Sequence, residues 1–140
     1  MATLTADRAD TGVQPYGGST NEFCVAYGSY TFSSNPATND VVELCKLPAG
    51  AVLVGGKAFC EVIDTDGTPT AAFELGTSDD TDKYLTSQTL DAEVDKDLTT
   101  TLLAAGPMTE STAVTVEAKM TTAATFQAGS MTVAIYYVMP

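Results

Sequence analysis

Short segments in which apolar and polar residues alternate, each closed by Gly, Pro, Asn or Asp, recur from Glu22 to the end of the chain. Alternation at period two gives a strand one apolar and one polar face. Strands of that kind bury their apolar faces only when one sheet packs on another. The first run is Phe23-Cys24-Val25-Ala26-Tyr27-Gly28-Ser29-Tyr30-Thr31-Phe32, which breaks at Ser33-Ser34-Asn35-Pro36. The second, Val41-Val42-Glu43-Leu44-Cys45-Lys46-Leu47, stops at Pro48-Ala49-Gly50. In the third, Val52, Val54, Ala58, Cys60 and Val62 share one face, and Lys57 and Glu61 the other. Gly55-Gly56 interrupts its middle, as a bulge or a sheet corner does.

Ala71, Phe73 and Leu75 point inward around an outward Glu74, and Val114, Val116, Ala118 and Met120 alternate with Thr115, Glu117 and Lys119. The final run, residues 131–138, is apolar on both faces, which predicts a strand either sandwiched or covered by a partner. Residues 84–105 are the least regular. Leu90–Leu98 suits a short helix as well as a strand, and Thr99-Thr100-Thr101 opposes any continuation of a helix. Seven or eight short strands with frequent turns predict an all-β sandwich, jelly-roll-like, over residues 22–140. Residues 1–21, polar and punctuated by Gly12, Pro15, Gly17 and Gly18, predict an extended N-terminal arm.

Which functions does this chain exclude? Its 140 residues include no histidine, which removes the commonest general base and the commonest zinc ligand. No G-x-S-x-G elbow and no phosphate-cradling G-x-x-x-x-G-K-[ST] occurs. Six basic against eighteen acidic residues give a net charge of −12. Phosphate backbones and anionic membranes bind through Lys and Arg, so neither is an expected partner. The acidity instead keeps free copies apart in solution. No apolar run approaches a membrane span, and the first residues lack the pattern of a secretory signal. Cys24, Cys45 and Cys60 lie in apolar segments without C-x-x-C spacing, as buried free thiols made in a reducing cytosol do. No catalytic residue and no cofactor is expected.

Two acidic stretches invite a functional reading. Asp64-Thr65-Asp66-Gly67 lies between two alternating segments, where Asp-Gly signals a hairpin turn with glycine at positive φ. It is also part of a calcium-loop pattern, without the later ligands that such a loop requires. Asp79, Asp80 and Asp82 form the densest carboxylate cluster. They are the candidate Ca²⁺ ligands, with a solvated loop bonded to its own backbone as the plainer expectation. The tyrosines of Tyr27-Gly28-Ser29-Tyr30 and Tyr136-Tyr137 suit either core packing or a binding face, and the C-terminal pair favours an interface.

Three segments, in order, then resemble a known group. ELCKLPAGAVLVGG (residues 43–56), FELGTSDDTDKYL (73–85) and AATFQAGSMTVAIYYV (123–138) are similar to strands and turns of small structural proteins of tailed bacteriophages. The resemblance covers residues 40–140. It implies a jelly-roll protein of the virion, of the capsid decoration (cement) type, assembled in the host bacterial cytoplasm. Such proteins are often trimers seated on the shell, with the major capsid protein as partner. A head fibre, a tail component or a head–tail adaptor shares the fold. From another class, a calcium-dependent carbohydrate-binding β-sandwich would use Asp79, Asp80 and Asp82.

Overall fold

The structure, a computed structural model, describes residues 1–5, 22–98, 107–122 and 128–140. Among these, the chain is all-β: β1 (Thr3–Thr5), β2 (Glu22–Thr31), β3 (Val41–Leu47), β4 (Val52–Cys60), β5 (Ala72–Gly76), β6 (Leu85–Thr89), β7 (Val94–Asp97), β8 (Met108–Thr109), β9 (Val114–Thr122) and β10 (Ser130–Met139). One sheet has the order β2-β10-β4-β7, with β8 beside the start of β4. The other has the order β1-β3-β9-β5-β6. Leave out the short β1 and β8, and successive strands switch sheets at every step except the β5–β6 hairpin. That winding is a jelly roll, two sheets wrapped by one folded-over ribbon. The expected β-sandwich is therefore the fold.

Alternation supplies the core. Leu44 and Leu47 from β3, Phe73 and Leu75 from β5, and Val116, Ala118 and Met120 from β9 face Val133, Ile135 and Tyr137 from β10, all almost fully buried. At one approach of the two sheets, glycine is obligatory. A Cβ on Gly28 of β2 would lie 2.0 Å from the carbonyl oxygen of Leu44 on β3.

Two expectations are corrected and one open choice is settled. First, the inward face of β4 is not a single period-two set, because Gly55 pairs with Tyr136 while Leu53 pairs with Tyr137. One extra residue opposite that step is a bulge, and it reverses the phase of everything before it. Leu53 is consequently buried and Val54 exposed, whereas Ala58 and Cys60 point inward as expected. Second, residues 90–98, which suit a helix or a strand alike in the sequence, contain the strand β7. Val94 is buried there, and the strand pairs with Lys57–Cys60.

Third, Asp64-Thr65-Asp66-Gly67 is no hairpin turn, because the strands on either side lie in different sheets. It is a corner between sheets. Gly67 does not take positive φ; among the described residues the glycine that does is Gly50 (φ 85°), in the Pro48-Ala49-Gly50-Ala51 turn between β3 and β4. There the Ala51 amide donates to the Pro48 carbonyl at 3.2 Å, the geometry that favours glycine at the third position.

Of the expected N-terminal arm, Thr3–Thr5 runs parallel to β3 at the sheet edge, in register from Thr3 opposite Val41 to Thr5 opposite Glu43. The buried Asp40 carboxylate secures this strand, accepting from the amides of Ala2 (2.9 Å) and Ala37 (2.8 Å). Residues 6–21 lie outside the described residues.

Candidate docking face

The outward-pointing residues of β2, β10 and β4 make one continuous surface. Register places Val138 beside Phe23 and Val52, Tyr136 beside Val25 and Gly55, and Ala134 beside Tyr27 and Lys57. A sheet face open to water ordinarily alternates to polar residues. Here Phe23 is 62% exposed, and Val25, Tyr27, Val54 and Phe59 are each more than a third exposed. The rings of Phe23 and Tyr136 lie 5.8 Å apart across the strand pair, so the patch is packed within itself. Contiguous exposed apolar surface of this kind marks a contact site.

The face changes character toward β7. Phe59 pairs with Asp95, and Lys57 with Asp97. Lys57 Nζ lies 3.2 Å from Asp95 Oδ1 and 5.7 Å from the centre of the Phe59 ring. A shallow depression at this end is lined by Phe59, Glu61, Glu93 and Asp95 together with Ser130 and Thr132. The Glu61 carboxylate accepts from the Ser130 amide at 2.6 Å and from its hydroxyl at 2.9 Å. The surface thus runs from aromatic at β2 to acidic at β7.

The tyrosines singled out from the sequence divide between two roles. Tyr27 and Tyr136 belong to the outer face. Tyr137 is fully buried, and Tyr30 packs edge-on against Phe32 at 5.1 Å, on the core side. Phe23, Val25, Val54 and Phe59 also belong to this face, and none of them stands out as a binding residue in the sequence. The signal for the first two was available: residues 23–27 are apolar at every position, so both faces of β2 are apolar. Val54 was hidden by the bulge.

The acidic stretches are turns. Asp64 is buried, and its carboxylate accepts from the amides of Asp66 (3.0 Å), Thr70 (2.9 Å) and Ala71 (2.8 Å). A side chain bonded to backbone further along the chain fixes the corner. Asp79, Asp80 and Asp82 are all exposed. The Asp80 carbonyl closes their loop by accepting from the amide of Thr77 at 2.9 Å. Among the described residues, no three His, Cys, Asp or Glu side chains converge as metal ligands do.

One buried ionisable cluster went unforeseen. Glu110, 4% exposed, accepts from the Tyr84 hydroxyl at 2.6 Å and sits 2.7 Å from Lys83 Nζ. Burial, then the bond to Glu110, pushes the Tyr84 phenol far above its usual range, so it remains a donor. Each member is satisfied by another, and the cluster ties the β5–β6 hairpin to the segment before β9. Cys24, Cys45 and Cys60 are buried free thiols. Burial pushes Cys45 up to about 12, and burial reinforced by the Glu61 charge does the same to Cys60. Neither is a nucleophile at neutral pH.

Protein-family models and curated proteins give no match to this chain. Solved structures do. A chain in the capsid asymmetric unit of cyanophage Pam1 is 25% identical, with TM-score 0.69 over 90% of this chain and 91% of that one. A chain of the capsid of Ralstonia phage GP4 superposes with TM-score 0.80 at 20% identity, over 99% of this chain and 98% of that one. A third, in the acid-stable capsid structure of Helicobacter pylori bacteriophage KHP30, gives TM-score 0.58 at 18% identity over 87% and 92%. The protein shares its jelly roll, nearly end to end, with chains of phage capsids, a likeness that supports a structural protein of the virion.

Proposed function

We propose that this chain is a bacteriophage capsid decoration (cement) protein that binds the major capsid shell from outside and stabilises it. The observation that carries the reading is the outer face of the β2-β10-β4 sheet. A rigid block offers water a broad aromatic and aliphatic surface at Phe23, Val25, Tyr27 and Phe59, and its structural neighbours are capsid chains. Apolar area left uncovered on a folded block is a source of association free energy of roughly 25 cal/mol per Å² buried. The role is structural and non-enzymatic: holding shell subunits together against the outward load of packaged DNA.

A trimer is the proposed unit. Several weak contacts made at once by a symmetric block raise its hold on the shell well above that of one contact. The acidity keeps free copies apart until the shell is present. The test is direct. Purified protein is mixed with undecorated capsids and imaged by electron cryomicroscopy, and the expected result is ordered density at symmetry-related sites on the outer surface. Bare capsids at saturating protein would refute the proposal, and density confined to the tail or the vertex would reassign the protein within the virion.

A further inference from the structure

We infer that the outer face of the β2-β10-β4-β7 sheet takes a different protein, apolar at its centre and basic along one side, and is not where copies of this chain meet. The inference deepens the decoration reading and rests on it. Its basis is the lopsided charge of the face. On β7 and the residue before it, Glu93, Asp95 and Asp97 alternate outward along one edge, at period two around the buried Val94. Along the opposite edge lie Phe23 and Val25 of β2, both exposed. Lys57 is the cation within the face, already engaged with Asp95 at 3.2 Å; the exposed Lys96 of β7 is in register with the inward Ala58, on the other side of the strand.

A second copy fits this surface badly. Two copies related by a two-fold axis can stack the face on itself in two ways. With the axis across the strands, the acidic edge of one meets the acidic edge of the other, and like charges repel as water is removed. With the axis along the strands, the acidic edge covers the Phe23 edge. The carboxylates then lose hydration against an apolar edge. In a trimer the face would instead meet another surface of the next copy, and a chain with six basic against eighteen acidic residues has few cations to set opposite β7. A surface carrying Lys or Arg opposite β7 and apolar side chains opposite β2 and β10 satisfies both halves at once.

Two double variants test this on the full-length protein, with shells of the major capsid protein lacking this chain as the probe. Phe23→Ser with Val25→Ser removes apolar surface; Glu93→Lys with Asp95→Lys reverses the acidic edge. Both are exposed positions, and unchanged thermal unfolding verifies the fold. If either pair unfolds the protein, the other decides. Each pair is expected to weaken shell binding by about tenfold or more, since a reversed charge at a contact meets repulsion. The wild-type interaction is expected to weaken as salt rises, and the deficit of the Lys variant to shrink. The sedimentation mass of the free protein is expected to stay the same in both. Dissociation of the free protein by Phe23→Ser/Val25→Ser, or full shell binding by the Lys variant, would overturn the inference. Wild-type protein that leaves the shells bare is a different failure: it removes the decoration reading, and this inference with it.

Discussion

Gly28 and Gly67 look alike in the sequence and have opposite roles in the molecule. A methyl at Gly28 would overlap the Leu44 carbonyl at 2.0 Å, whereas nothing lies within 4 Å of one at Gly67. Gly28→Ala is expected to cost about 3 kcal/mol or more in chemical denaturation, the upper range for overpacking. Gly67→Ala is expected to be neutral or to stabilise by a few tenths of a kcal/mol, by narrowing the unfolded ensemble. The buried Glu110 invites a similar contrast. Glu110→Ala strands both Lys83 and the Tyr84 hydroxyl, and a loss of about 3 kcal/mol is expected, as for a broken buried pair. Tyr84→Phe leaves the Lys83–Glu110 pair intact and should cost about 1–2 kcal/mol by the same measurement.

Two carboxylates give acid stability opposite signs. Amides of Ala37 and Ala2 hold the Asp40 carboxyl below its ordinary value of 3.8. Its contribution is complete above that value and is lost as pH falls through the lower folded one. Burial, and then the charge of Glu43 directly opposite across the strands, pushes Glu117 above its ordinary 4.5. Ionised Glu117 therefore destabilises the fold at neutral pH, and the penalty is relieved as pH falls through its raised value toward 4.5. Urea unfolding as a function of pH checks both. Glu117→Gln is expected to stabilise at pH 7 and to lose that advantage once the glutamate is protonated. Asp40→Asn is expected to flatten the loss of stability at the acid end. It should also loosen β1, whose Ala2 amide bonds to that carboxylate.

At the scale of elements, most strands were legible because each carries its own alternation and its own stop. β3 runs over Val41–Leu47, as its pattern and the Pro48-Ala49-Gly50 stop require, and β9 buries Val116, Ala118 and Met120 as read. What was not legible depends on partners remote in sequence. The Gly55-Gly56 irregularity announced a bulge, but only pairing with β10 reveals that the added residue lies before the glycines and turns Val54 outward. Likewise, Asp-Gly reads as a hairpin locally and is a corner between sheets, because β4 finds β10 and not β5 as its neighbour. The Asp64 carboxylate holds that corner through the amides of Thr70 and Ala71. Asp64→Ala leaves them without that acceptor and should cost about 2–3 kcal/mol in thermal unfolding, whereas Asp66→Ala, at an exposed position, should cost well under 1 kcal/mol.

At the scale of the whole molecule, sequence and structure agree on a two-sheet block, and within it several buried carboxylates hold the fold together. Asp64 fixes a corner, Asp40 secures an edge strand, and Glu110 binds a hairpin to its neighbour. The docking face was only half legible. The C-terminal strand is apolar on both sides and so favours an interface, but for β2, with the same property at residues 23–27, core packing and a binding face stay open in the sequence. A face is a property of three strands in register, and that register is set by the fold. Hydroxyl-radical footprinting of the protein, free and bound to undecorated shells, tests the central claim most directly. Loss of labelling at Phe23, Tyr27 and Phe59 on binding, with Tyr30 unchanged, is the predicted result. Labelling of those three aromatics that stays the same on shells carrying the protein would contradict it.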